Sequence, residues 1–303
     1  MNPICLTRRT FLSAVGISCV GAMADASAKG LNGLTAFDSV PKAAWLWGFD
    51  PARSSELNAF AVRHKISTLF VSLPRWMRDQ ISAGDSQGVE AIRRLAVGGV
   101  RVLALAGDPS WAKQPAVVPI PLRQILEFQS RFGLFAGLHL DVEPHTLPEW
   151  RSGEQARLDL SAGLAQFAKM AAVAGAGLPI EAALHPGLAA IRSESGANAL
   201  EAVAKNLSVA SIMAYRDNAD DTIRRAASAV DILETAGIPW RLGVLVHETN
   251  EARTSFAGAP SREFLMSMRE LDARFRRKSD GALFRGLAFE DLAGLRHLLA
   301  DDV

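Results

Sequence analysis

FAGLHLDVEPH, residues 135–145, sets His139, Asp141 and Glu143 at alternate positions, with Leu138, Leu140 and Val142 around them. Side chains two apart on an extended strand share a face, so the three polar groups line up on one side and the three apolar ones on the other. Two carboxylates above a histidine on one face are hard to explain as packing, because burying charge without a task is costly. The stretch therefore marks the place to look for chemistry, and the fold has to explain why such a strand exists.

Outward from it the chain alternates with regularity. Apolar strand-like runs occur at 43–49, 66–73, 100–107, 134–143, 178–184, 209–215, 241–246 and 284–289, and helix-period stretches separate them at 54–64, 89–99, 122–132, 156–175, 221–237 and 261–277. Gly99, Gly175 and Gly237 close helices ahead of the next strand. Eight βα units with no compositional break predict a single (β/α)8 barrel over 41–303. A doubly wound open sheet is the rival, but no G-x-G-x-x-G or phosphate-binding loop follows the first strand. In such barrels functional side chains gather at the C-terminal ends of the strands, which is where Asp141 and Glu143 fall, with Pro144 stopping the fourth strand.

Composition narrows the classes of function. The 303 residues are 49% hydrophobic, enough for a large core, and 33 Lys plus Arg against 32 Asp plus Glu leave no charge bias toward nucleic acid. The N-terminus reads as an address. Thr7-Arg8-Arg9-Thr10-Phe11-Leu12 is a twin-arginine pattern, followed by a short apolar run and by Ala26-Ser27-Ala28, which predicts cleavage after Ala28. The expectation is a Tat signal over 1–28, a linker over 29–40 and a periplasmic or secreted mature protein without a membrane span. Both cysteines, Cys5 and Cys19, lie inside the signal, so the mature chain has no thiol chemistry. A lipoprotein cysteine at Cys19 is the alternative, with Gly16 standing where such signals prefer a larger apolar residue.

The quoted stretch resembles the fourth-strand signature of family 18 glycoside hydrolases, the chitinase-like enzymes, whose pattern is D-x-x-D-x-D-x-E. Here it reads Ala136-x-x-His139-x-Asp141-x-Glu143, keeping the last two acids. Met213-Ala214-Tyr215-Arg216 resembles the family's M-x-Y-D stretch with Arg216 in place of the acid. The last strand, 286–292, lacks the Trp that commonly floors the family's sugar site. The resemblance implies a carbohydrate substrate, no metal and no cofactor. Glu143 would protonate the leaving glycosidic oxygen, Asp141 would orient an acetamido group that itself attacks the anomeric carbon, and Tyr215 would hydrogen-bond the acetamido oxygen. His139 stands in the place of a family Asp that partners Asp141.

Other polar residues cluster at predicted strand ends as substrate-binding candidates: His185 after the fifth strand, His247 and Glu248 after the seventh, Glu290 after the eighth. Trp45, Trp47, Trp76 and Trp111 fall on or just after the first three strands, where an indole could stack on a sugar or simply pack. Three other readings stay open. Glu143-Pro144 also looks like the acid of the large retaining glycosidase clan, whose nucleophile ends strand seven, here Glu248; Val142 replaces that clan's Asn, and Glu290 offers another partner. A metal-dependent hydrolase could use His139, Asp141, His185 and His247, although Trp45-Leu46-Trp47 replaces the usual H-x-H on the first strand. A barrel that binds glycans without cutting them is the third.

Overall fold

The computed structural model describes Phe37 and residues 39–300. The Tat signal with Arg8, Arg9, Cys5 and Cys19, and nearly all of the 29–40 linker, lie outside the described residues. Eight strands, β1 Lys42–Leu46, β2 Ile66–Ser72, β3 Arg101–Ala106, β4 Gly137–Leu140, β5 Ile180–Leu184, β6 Val209–Met213, β7 Trp240–Leu245 and β8 Phe284–Glu290, pair in parallel in chain order. β8 pairs back to β1 through Ala43 and Ala288, so the sheet closes into a (β/α)8 barrel. Every strand overlaps one of the apolar runs in the sequence. They read as near-continuous hydrophobic runs because one face fills the barrel and the other meets the helices; all six residues of β7 are buried.

The helical layer comprises α1 Ser54–Arg63, α2 Arg75–Ser82, α3 Ser86–Leu95, α4 Ile120–Phe132, α5 Glu154–Ala174, α6 Ala199–Ala204, α7 Ala219–Thr235, α8 Ser261–Arg276 and α9 Leu292–Leu298. The 3.6-residue period finds six of them. It misses α2, α6 and α9, which at 8, 6 and 7 residues repeat the period too few times to stand out. Side-chain caps start several: Asp85 accepts from the Gln87 and Gly88 amides, Asn218 from Asp221, and Asp291 from Gly294. Asp291 is thereby spent on a helix, although it adjoins Glu290.

The barrel interior is filled in layers. At the N-terminal end, buried Glu181 of β5 accepts from Arg241 Nε of β7 at 3.3 Å. Arg241 also donates to the Arg285 carbonyl at 2.8 Å, so the ion pair is anchored by a further hydrogen bond. Above it Trp45, Phe70, Leu103, Leu105, Ala183, Met213 and Ala288 form an apolar plug, with Tyr215 packed against its top. The C-terminal mouth begins where this plug ends.

Candidate active site

Asp141 and Glu143 leave the top of β4 rather than lie within it. The strand ends at Leu140, and the Asp141 amide carries the ladder one residue further by donating to the Ala106 carbonyl at 3.0 Å. Glu143 then opens a 3-10 turn, Pro144–Thr146, in which its carbonyl accepts from the Thr146 amide at 3.0 Å and hydroxyl at 2.8 Å. Alternation places the polar groups on one side, but it cannot see the turn that ends the strand early. Gly107, after β3, fixes the approach of this corner: a Cβ there would lie 1.9 Å from the Asp141 carbonyl oxygen. Gly107→Ala is expected to cost about 1–3 kcal/mol in urea unfolding and to lower turnover by displacing Asp141.

Across the mouth, the Tyr215 hydroxyl donates to the Glu290 carboxylate, joining the end of β6 to the last residue of β8. Trp47, 40% exposed in the loop after β1, and the His247 charge also act on Glu290. Burial raises the Glu290 carboxyl, and these partners oppose that rise. Glu143 has no such side-chain support among the described residues. Burial first, then the Glu290 charge, push it up to about 7. Asp141 is held well above the usual carboxylate range by burial, then by Glu143 and Glu290. The Tyr215 hydroxyl is raised by burial and by the same three acids, so it stays a donor. Three carboxylates thus share one half-buried corner, with the strongest hydrogen-bond support on Glu290.

The remaining candidates are placed differently. His139 is fully buried below the mouth, stacked on Phe70 with ring centroids 3.7 Å apart and edge-on to Trp45 at 5.3 Å. Both ring nitrogens lack a hydrogen-bond partner among the described residues, and burial, then Arg241, hold its pKa well below the usual value. His139 is therefore a neutral part of the plug and cannot touch substrate, which corrects the expectation drawn from its alternate spacing. His139→Leu is expected to leave turnover within about twofold and to keep or raise stability by about 1 kcal/mol in urea unfolding, since it removes unpaired polar atoms at similar shape.

Glu248 is exposed in the loop after β7, and Glu290 is the glutamate whose charge acts on Glu143. Trp111 leans on Phe167 of α5 at 5.4 Å, and Trp76, 52% exposed, borders a groove with Asp50, Met77 and Asp85 on the flank beyond β2. The four residues of the metal reading are not brought together. His139 lies in the plug, His185 stacks on His145 at 4.3 Å, and His247 Nδ1 donates to the Glu248 carbonyl at 2.9 Å. Among the described residues no group of three or more His, Cys, Asp or Glu is arranged to hold a metal ion.

No known family profile matches the sequence, and no curated protein sequence matches it. Solved structures do. A GH18 chitinase from Pseudoalteromonas aurantia aligns at 11% identity and TM-score 0.54 over 87% of this chain and all of its own (100%). A candidate alpha-L-fucosidase from Bacteroides thetaiotaomicron aligns at 10% and 0.53 over 87% of this chain and 92% of that one. A candidate deoxyribose-phosphate aldolase from Toxoplasma gondii aligns at 12% and 0.54 over 90% and 94%. The shared feature is the TIM barrel. At such identities the likeness is one of fold, and the chemistry rests on the side chains in the mouth.

Proposed function

We propose that the chain is an exported glycoside hydrolase acting on an oligosaccharide or polysaccharide that carries N-acetylhexosamine, with Glu143 as general acid. The observation that carries this reading is the position of Glu143: at the mouth of a TIM barrel, beside a second supported carboxylate, with its proton retained up to about pH 7. A general acid works best when its pKa lies near the working pH, and burial next to a like charge achieves that here. The acetamido carbonyl oxygen of the substrate attacks the anomeric carbon as the glycosidic bond breaks. The Glu143 proton passes to the leaving oxygen, and water then opens the cyclic ion with Glu143 as base. Asp141, next along the same corner, orients the acetamido N–H; burial and the neighbouring acids keep its proton on before substrate enters, so it balances the positive charge only once that proton leaves as the charge develops. This assignment is supported by the Asp141-x-Glu143 spacing and by the shared burial of the two acids.

A second reading has its own observation. The Tyr215 hydroxyl donates to Glu290, which favours the carboxylate form that a nucleophile needs. Glu143 and Glu290 would then be the acid and nucleophile of a retaining enzyme, with Glu290 in the role the sequence offered to Glu248. Under the first reading Tyr215 must exchange Glu290 for the acetamido oxygen when substrate enters. Hydrolysis of paired acetylated and deacetylated oligosaccharides separates the two readings: only the first requires the acetyl group.

Export through the Tat pathway is part of the proposal and rests on Arg8-Arg9 and the Ala26-Ser27-Ala28 triplet. Replacing both arginines by lysine is expected to leave the precursor inside the cell, with a wild-type mature N-terminus near Lys29. Unchanged export of the double variant, followed by immunoblotting of cell fractions, would remove this part of the reading.

A further inference from the structure

A second set of ionisable side chains adjoins the carboxylates on the β5–β6 side of the mouth. His145, two residues past Glu143, stacks on His185 with ring centroids 4.3 Å apart, and a narrow crevice lined by Glu143, His145, Trp150, His185, Leu188 and Met213 connects them to the acid. Arg225 of α7 reaches His185 Nε2 at 3.0 Å. Arg216, half-buried directly after Tyr215, donates to the Tyr215 carbonyl at 2.6 Å.

The hydrogen bonds of this cluster do not close. The Gly187 amide donates to His185 Nδ1 at 3.1 Å, and the approach is so close that a Cβ on Gly187 would lie 2.7 Å from that nitrogen. A neutral imidazole has one acceptor nitrogen. With Nδ1 accepting, the ring proton sits on Nε2 and meets the Arg225 N–H head on. With the proton on Nδ1, Arg225 is satisfied and the Gly187 amide meets a donor. Double protonation serves neither, and burial together with the nearby cations holds both His185 and His145 down at about 4. The charges do not close either. The neighbouring acids are taken, Asp221 by Arg224 and Arg253, and Asp217 by Arg253, while no carboxylate pairs with Arg216 or Arg225 among the described residues. Two guanidiniums, Arg216 and the exposed Arg225 whose pKa it lowers, thus stand beside a donor–donor contact that faces solvent.

We infer that this corner, formed by Arg225, Arg216, His185 and His145, binds an oxyanion on the sugar substrate, a carboxylate or a sulfate ester, next to the bond that Glu143 cleaves. An oxyanion supplies the missing acceptor to Nε2–H of His185 and to the planar Arg225 fork at once, and brings the charge that two arginines lack. The inference rests on the glycosidase reading for its choice of a sugar, and on the unclosed contacts for its choice of an anion.

The test measures binding apart from turnover. Titration calorimetry on the full-chain Glu143→Gln protein would compare three tetrasaccharides: neutral N-acetylglucosamine, alternating N-acetylglucosamine and glucuronate, and 6-O-sulfated N-acetylglucosamine. At least one charged probe is expected to bind about tenfold or more tighter than the neutral one; whichever does so identifies the oxyanion. Adding Arg225→Gln, an exposed helix position, should erase the preference, and Arg225→Lys should retain part of it. Equal binding of all three probes, a preference that survives Arg225→Gln, or no binding at all overturns the inference. Wild-type turnover is read separately. A protein that prefers the charged probe through Arg225 but hydrolyses none keeps the anion site and loses the glycosidase reading. Rapid hydrolysis of the neutral probe without any charged preference does the reverse.

Discussion

Glu143→Gln is expected to lower kcat/KM on natural oligosaccharides by about 10³–10⁴, the upper range of a general acid's contribution. Substrate binding should change little. The size of the loss depends on the leaving group: an alcohol needs the proton, whereas an activated nitrophenyl glycoside leaves largely unaided and should lose far less in the bond-breaking step. Wild-type kcat/KM should also fall as pH rises through about 7, because that is where Glu143 gives up the proton it has to donate. The Gln variant should lack this limb. Equal losses on both kinds of substrate, with the limb unchanged, would assign the proton to another group. Tight glycan binding by a wild type that turns nothing over would favour the lectin-like barrel.

The second large effect separates the two carboxylates beside Glu143. Asp141→Asn is expected to reduce kcat/KM on acetylated substrate by about 10²–10³, comparable to removing one preorganised electrostatic group, and deacetylated substrate should be inert with wild type. Glu290→Gln should cost less than about 10², below the range of a direct acid–base group, and should move the alkaline limb to lower pH. The sign follows from the charge: Glu290 raises Glu143, so neutralising it lets Glu143 ionise earlier. Steady-state kinetics across pH on the paired substrates reads all of this. Cleavage of deacetylated substrate together with inactivation by Glu290→Gln would transfer the mechanism to the Glu143–Glu290 pair.

The strands were legible because both of their faces are buried, so each shows as an unbroken apolar run. The acids at the top of β4 were legible as an alternation that packing does not require. Other features depend on where strands stop and which ones meet. Glu248 and Glu290 look alike as strand-end acids, but β7 ends at Leu245 and its loop carries Glu248 outward, whereas Glu290 is the last residue of β8. The Tyr215–Glu290 bond joins residues 75 apart, and the stack of His139 on Phe70 joins β4 to β2. No local pattern encodes either. His145 was visible beside Glu143, but its meaning needed Arg225, which in sequence is one of several cations on a helix.

The plug described inside the barrel has a consequence for traffic. With Glu181 and Arg241 closing one end and Trp45, Phe70 and His139 above them, the barrel is a cup, not a tube. On the proposed reading a polymer therefore meets the acids only from the C-terminal rim. Under the proposed reading, sugar and water enter and leave by the same rim, beside Trp47 on one side and Arg225 on the other, and it is the entering water that returns to Glu143 the proton it gave up. A leaving-group product lingering there would keep out the water that restores the acid as well as the next substrate, so its departure would gate the second half of the proposed cycle.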